Sequence, residues 1–140
     1  MAEDSLDILI VDDDPGPQKM LALVINDENQ KIRLYPDGSQ AWEGIQAQFP
    51  DLIFSDNRMP KMSGIELARL TMALATEQRH QIAFVLTTGT PYDLPEDDPL
   101  RKIITVLSKP YNLSDVRDIV AAAKRAKTLK PSKEIVQGEE

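Results

Sequence analysis

Four short apolar runs recur along the chain: Ile8-Leu9-Ile10-Val11, Leu52-Ile53-Phe54, Ile82-Ala83-Phe84-Val85-Leu86 and Ile103-Ile104-Thr105-Val106-Leu107. Each is continuous rather than alternating and rich in β-branched side chains, which predicts strands covered on both faces. Lys31-Ile32-Arg33-Leu34-Tyr35 alternates polar with apolar, as a strand with one wet face at a sheet edge does. Between the runs the apolar spacing becomes helical. The sets are Met20, Leu23 and Val24; Trp42, Ile45 and Phe49; Ile65, Ala68 and Met72; and Val116, Ile119, Val120 and Ala123. Each predicts one buried helical stripe. Pro17, Ser39 and the pair Asn112/Asp115 mark helix starts.

The segment Pro91 to Lys102 breaks this regularity, because three prolines and the acidic run Glu96-Asp97-Asp98 leave room only for a short or irregular helix. Strand alternating with helix requires parallel pairing, since each strand is re-entered through a crossover that covers one sheet face. The predicted fold is therefore α/β, a doubly wound five-stranded parallel sheet. The domain is expected over residues 7–126, after an extension at 1–6 and before a flexible tail at 127–140, where the apolar stripe has stopped.

With 140 residues and 41% hydrophobic content, one such core can be filled. A net charge of −7 repels a phosphate backbone and argues against direct nucleic-acid binding. The chain has no cysteine, which excludes disulfides and thiolate chemistry and is compatible with the cytoplasm. No apolar stretch approaches the roughly 20 residues that span a bilayer, and the first residues are acidic where a signal peptide is basic.

Functional residues in such sheets collect beyond the carboxyl ends of the strands. There the chain carries Asp12-Asp13-Asp14, Ser55-Asp56, Thr87-Thr88-Gly89 and Ser108-Lys109-Pro110. Asp12, Asp13 and Asp56 brought together repel one another unless a divalent cation or a proton intervenes. A hard cation with oxygen ligands, Mg²⁺, suits them and leaves Asp56 as a nucleophile. Lys109, with a threonine hydroxyl or the Gly89 amide, supplies donors to the oxygens of a transferred phosphoryl group. Asp14 reads as a turn or cap residue. His80, in a polar stretch, reads as a solvated loop residue, and Lys124, Arg125, Lys127 and Lys130 as a solvated helix end favoured by the dipole.

Over roughly Asp7 to Ala126 the chain resembles the receiver domain of two-component response regulators. The match lies in ILIVDDD, in LIFSDNRMPKMSG with Met59-Pro60 and Gly64 after Asp56, in VLTTG and in LSKP. The resemblance implies a flavodoxin-like fold with strand order 2-1-3-4-5 and a cis bond before Pro110. It implies phosphorylation of Asp56 by a sensor histidine kinase or histidine phosphotransfer protein, followed by binding of a downstream protein target. Mg²⁺ would be held directly by Asp13, Asp56 and the Arg58 backbone carbonyl, and through water by Asp12. Lys109 would grip the phosphoryl group, and the output surface would be the fourth helix, fifth strand and fifth helix. The small residue that follows the family's switch hydroxyl points to Thr88 rather than Thr87. Val106 departs from the pattern, since many receivers carry a swinging aromatic there.

Two rivals stand beside this reading. Asp12 and Asp14 have the Asp-x-Asp spacing of haloacid-dehalogenase-like phosphohydrolases, but Gly16 stands where that family calls for Thr or Val. A pseudo-receiver would keep the fold without taking phosphate, yet Asp12, Asp13, Asp56, Thr88 and Lys109 are all in place. The 14 residues after Ala126 are too few for an effector domain, so the receiver either docks on partners by itself or belongs to a longer regulator.

Overall fold

Each apolar run pairs with its neighbours in parallel, and the computed structural model, which describes residues 5–26 and 30–129, gives the order β2-β1-β3-β4-β5. The strands are β1 (Asp7–Val11), β2 (Lys31–Tyr35), β3 (Leu52–Asp56), β4 (Ala83–Thr88) and β5 (Thr105–Ser108). The helices are α1 (Pro15–Ile25), α2 (Gly38–Ala47), α3 (Gly64–Gln78) and α4 (Leu113–Leu129). Alternate strand residues feed two separate cores. Leu9, Val11, Ile53, Phe84 and Leu86 pack under α2 and α3. Ile8, Ile10, Leu52, Phe54 and Val85 pack under α1 and α4. Burying side chains of this size contributes about 1.5–3 kcal/mol each, so both cores pin the strand register and with it the sheet's carboxyl edge.

Several sequence expectations need correction. In α1 the buried face is Gln18, Leu21 and Ile25, whereas Met20 and Leu23 are 61% and 72% exposed. Residues 20–25 are apolar nearly all round, so periodicity leaves the rotation of the helix open. Gln18 settles it, because its Nε2 donates to the Tyr35 carbonyl at 2.8 Å. The cap of α2 is Asp37, not Ser39, since the Asp37 carboxylate accepts the Gln40 amide at 2.8 Å. The fifth run begins its strand only at Thr105, and β5 lies at a sheet edge with Thr105 and Ser108 exposed, so it is not covered on both faces.

The proline-rich segment forms two 3₁₀ turns, Pro91–Asp93 and Pro99–Lys102, as its composition predicts. The implied fourth helix of the output surface therefore does not exist among the described residues, and α4 takes the place of the fifth. Leu94 and Leu100 anchor the proline-rich segment and are buried in the core under α2 and α3. His80 is not solvated: it is half-buried and meets the Phe49 ring edge-on, with centroids 4.6 Å apart. Lys127 is not part of a free helix end either. Its Nζ donates to the Ser5 carbonyl at 2.7 Å and to Asp51 at 3.0 Å, which ties α4 to the start of β1 and carries the helix past Ala126. Most of the expected extension (1–4) and tail (130–140), Lys130 included, lies outside the described residues.

Candidate functional site

The end of β1 delivers Asp12 and Asp13, the end of β3 delivers Asp56, and the residue after β5 is Lys109. β1 and β3 run in register, Val11 opposite Ser55, and β3 and β4 likewise, Asp56 opposite Thr87. The carboxyl groups therefore meet at one rim. A carboxylate oxygen from each of Asp12, Asp13 and Asp56 lies within 4.8 Å of the others, a spacing at which like charges in a partly dry site repel. Asp12 is 9% exposed. Burial, with the nearby Asp56 and Asp13 charges, pushes its carboxyl up, while the Asp14 amide and Lys109 oppose the shift. Asp14 is the turn and cap residue the sequence suggests, its Oδ1 accepting the Gly16 amide.

Lys109 supplies the opposite charge, with Nζ 3.1 Å from Asp56 Oδ1. Burial disfavours its ammonium, but the hydrogen bond to Asp56 and the Asp56 and Asp12 charges outweigh that and raise its pKa. The Lys109 amide donates to the Thr88 carbonyl at 2.8 Å, and the Lys109-Pro110 bond is cis. The two threonines differ. Thr87 Oγ1 donates inside the sheet to the Ser55 carbonyl, whereas Thr88 Oγ1 accepts the Thr90 amide at 2.9 Å beyond the strand end.

The loop that carries Arg58 is fixed at both ends. The Gly64 amide donates to the Asn57 carbonyl at 2.8 Å and the Ile65 amide to Asn57 Oδ1 at 3.0 Å. A Cβ at Gly64 would run into the Asp56 carbonyl and the Leu86 side chain, which explains why glycine opens α3. Ser63 and Glu66 close a capping box there. Asp93, which no sequence motif marks, completes the arrangement. It accepts from Asn57 Nδ2 (3.2 Å), Arg58 Nε (2.9 Å) and Thr90 Oγ1 (2.7 Å). Thr90 is a near neighbour, but the partners that tie Asp93 to the site, Asn57 and Arg58, lie on the loop between β3 and α3, far away in sequence. Three hard oxygen donors in this compass fit Mg²⁺ chemically.

The family model of the response regulator receiver domain matches residues 8–121. Sporulation initiation phosphotransferase F of Bacillus subtilis is 28% identical over 113 residues, covering 81% of this chain and 89% of that protein. The receiver protein CpdR of Brucella abortus is 31% identical over 110 residues, covering 78% and 88%. Among solved structures, the co-crystal of the Saccharomyces cerevisiae histidine phosphotransfer protein Ypd1 and the receiver domain of its downstream regulator Ssk1 matches with a TM-score of 0.77 at 21% identity, over 90% of this chain and 93% of that one. The match spans all five strands and the rim that carries the acidic group and its lysine, and the chain belongs to the response regulator receiver domain family of two-component signalling.

Proposed function

We propose that Asp56 accepts a phosphoryl group from a phosphohistidine donor, with Mg²⁺ held by Asp12, Asp13, Asp56 and the Arg58 carbonyl. The observation that carries this reading is the 3.1 Å contact of Lys109 Nζ with Asp56 Oδ1 beside three convergent carboxylates. An Asp56 oxygen attacks phosphorus, the O–P bond forms and the N–P bond to the donor imidazole breaks. Lys109 gives up part of its bond to Asp56 and follows the negative charge onto the phosphoryl oxygens. Thr88, the last residue of β4, whose hydroxyl bonds Thr90 in the following loop rather than the neighbouring strand, donates to a further oxygen. The metal, when bound, offsets carboxylate and phosphoryl charge. The product is a dianionic acyl phosphate, whose new contacts shift a conformational equilibrium at the surface.

The donor in this reading is a sensor kinase or histidine phosphotransfer protein, which the co-crystal of Ypd1 with a receiver domain supports by analogy. The modified chain then binds a downstream protein or acts on its own parent chain. It serves as a phosphoacceptor in signalling and assists its own phosphorylation and dephosphorylation. Among the described residues no helix is long and apolar enough to cross a membrane. The hydrolase reading makes Asp12 the nucleophile, yet Asp12 is nearly buried and the lysine bonds Asp56. Beryllofluoride titration followed by NMR tests the proposal. Saturable, Mg²⁺-dependent shifts around Asp56 and Lys109 are expected, and a flat titration would leave a pseudo-receiver.

A further inference from the structure

Asp93 lies outside the set of residues that would touch metal or phosphate, yet it collects the donors of two loops that do. Its Oδ1 and Oδ2 take Arg58 Nη2 (3.0 Å) and Nε (2.9 Å) as a bidentate pair, and Oδ2 also takes Asn57 Nδ2 (3.2 Å). The same carboxylate accepts the Thr90 hydroxyl at 2.7 Å. That last bond fixes the direction of the next one. A threonine hydroxyl has one proton, so with Thr90 donating to Asp93, the 3.3 Å contact between Thr88 Oγ1 and Thr90 Oγ1 must run from Thr88 to Thr90. The Thr88 proton is thereby directed to Thr90, and its oxygen already accepts the Thr90 amide at 2.9 Å.

We propose that Asp93 is a positioning residue that couples the two halves of the site, holding the Arg58 carbonyl in place for Mg²⁺ and retaining the Thr88 hydroxyl through Thr90. This rests on the phosphoacceptor reading and deepens it. For Thr88 to donate to a phosphoryl oxygen it must release Thr90. The Thr90 hydroxyl then loses the donor that oriented it, and its bond to Asp93 is free to rearrange beside Arg58. The relay runs through the loop after β4 and needs no aromatic on β5, where this chain has Val106. Bonding by Arg58 first and Thr90 second holds the Asp93 carboxyl down to about 2, so the hub is ionised at physiological pH.

Asp93→Asn in the full 140-residue chain tests the first half. Mg²⁺ titration followed by NMR should give a dissociation constant about tenfold weaker than wild type, the low end for removing an outer-shell partner. The melting temperature without Mg²⁺ serves as the control for general damage. An affinity within twofold of wild type overturns the proposal. Failure of wild type itself to bind Mg²⁺ would instead overturn the phosphoacceptor reading and this inference with it. Thr90→Val tests the second half independently, even if Asp93→Asn folds poorly. With Mg²⁺ saturating, beryllofluoride should move the Arg58 Nε–H resonance in wild type, and Thr90→Val should abolish that movement while shifts at Asp56 persist. An Arg58 resonance that moves equally in both proteins contradicts the relay.

Discussion

Lys109 shows how one side chain is held charged in a half-dry place. Burial works against its ammonium, yet Asp56 at 3.1 Å and the Asp12 charge more than compensate. The three carboxylates do not depend on Lys109 for their placement, because β1 and β3 fix them through register. Lys109→Ala should therefore still bind Mg²⁺ but lose a charge-assisted bond to the phosphoryl mimic. Such a bond contributes about 2 kcal/mol, which corresponds to roughly thirtyfold weaker beryllofluoride binding in a titration at fixed Mg²⁺. Undiminished affinity would remove Lys109 from the site. Asp56→Asn should abolish labelling by a small phosphoryl donor altogether, because an amide oxygen is too weak a nucleophile to replace the carboxylate. Retained labelling, mapped to Asp12 by mass spectrometry, would restore the hydrolase reading.

Among the elements, the helix starts decide how the site is held. Asp37 caps α2 through the Gln40 amide, with Lys61 3.8 Å away, and that bond, partly opposed by burial, lowers its carboxyl pKa. A depressed carboxyl stabilises the fold above its unfolded pKa near 3.8 and loses that contribution as pH falls through the folded value. Asp37→Ala should cost about 1 kcal/mol at neutral pH, and chemical denaturation should show the deficit shrinking below about pH 4. At the start of α3, Gly64→Ala forces a Cβ onto the Asp56 carbonyl. Overpacking of that kind costs roughly 1–3 kcal/mol, and Mg²⁺ binding should weaken with it because the displaced atom belongs to Asp56 itself. The strands were legible from sequence because apolar runs bounded by turns have few alternatives. So were the rim residues Asp12, Asp13, Asp56 and Lys109, since strand order places them. The face of α1 was not, because Leu21, Leu23, Val24 and Ile25 compete for burial and only the long-range bond from Gln18 to Tyr35 decides. Asp93 was hidden for a like reason, since the partners that draw it into the site, Arg58 and Asn57, lie 35 and 36 residues away.

At the scale of the whole molecule, two hydrophobic cores stabilise an arrangement that electrostatics opposes. The chain carries a net charge of −7, and its sheet gathers three carboxylates at one rim within 4.8 Å, with a single bonded lysine. Without a cation this crowding subtracts from stability, and at Asp12 burial adds to it, pushing the carboxyl up along with the Asp56 and Asp13 charges. Asp13 is exposed, so replacing it by asparagine removes charge without opening a cavity. In chelator, Asp13→Asn should melt at or slightly above the wild-type temperature, a gain of up to about 1 kcal/mol for relieving an exposed like-charge contact. With Mg²⁺ at a hundred times its dissociation constant, wild type should gain about 2.7 kcal/mol, roughly 10 °C for a chain of this size. The variant should gain far less, so the order of the two melting curves reverses on adding Mg²⁺. That crossing separates a metal site from a mere acidic patch. If the carboxylates were only a solvated turn, both curves would move together with ionic strength, and magnesium would do no more than an equal ionic strength of sodium chloride.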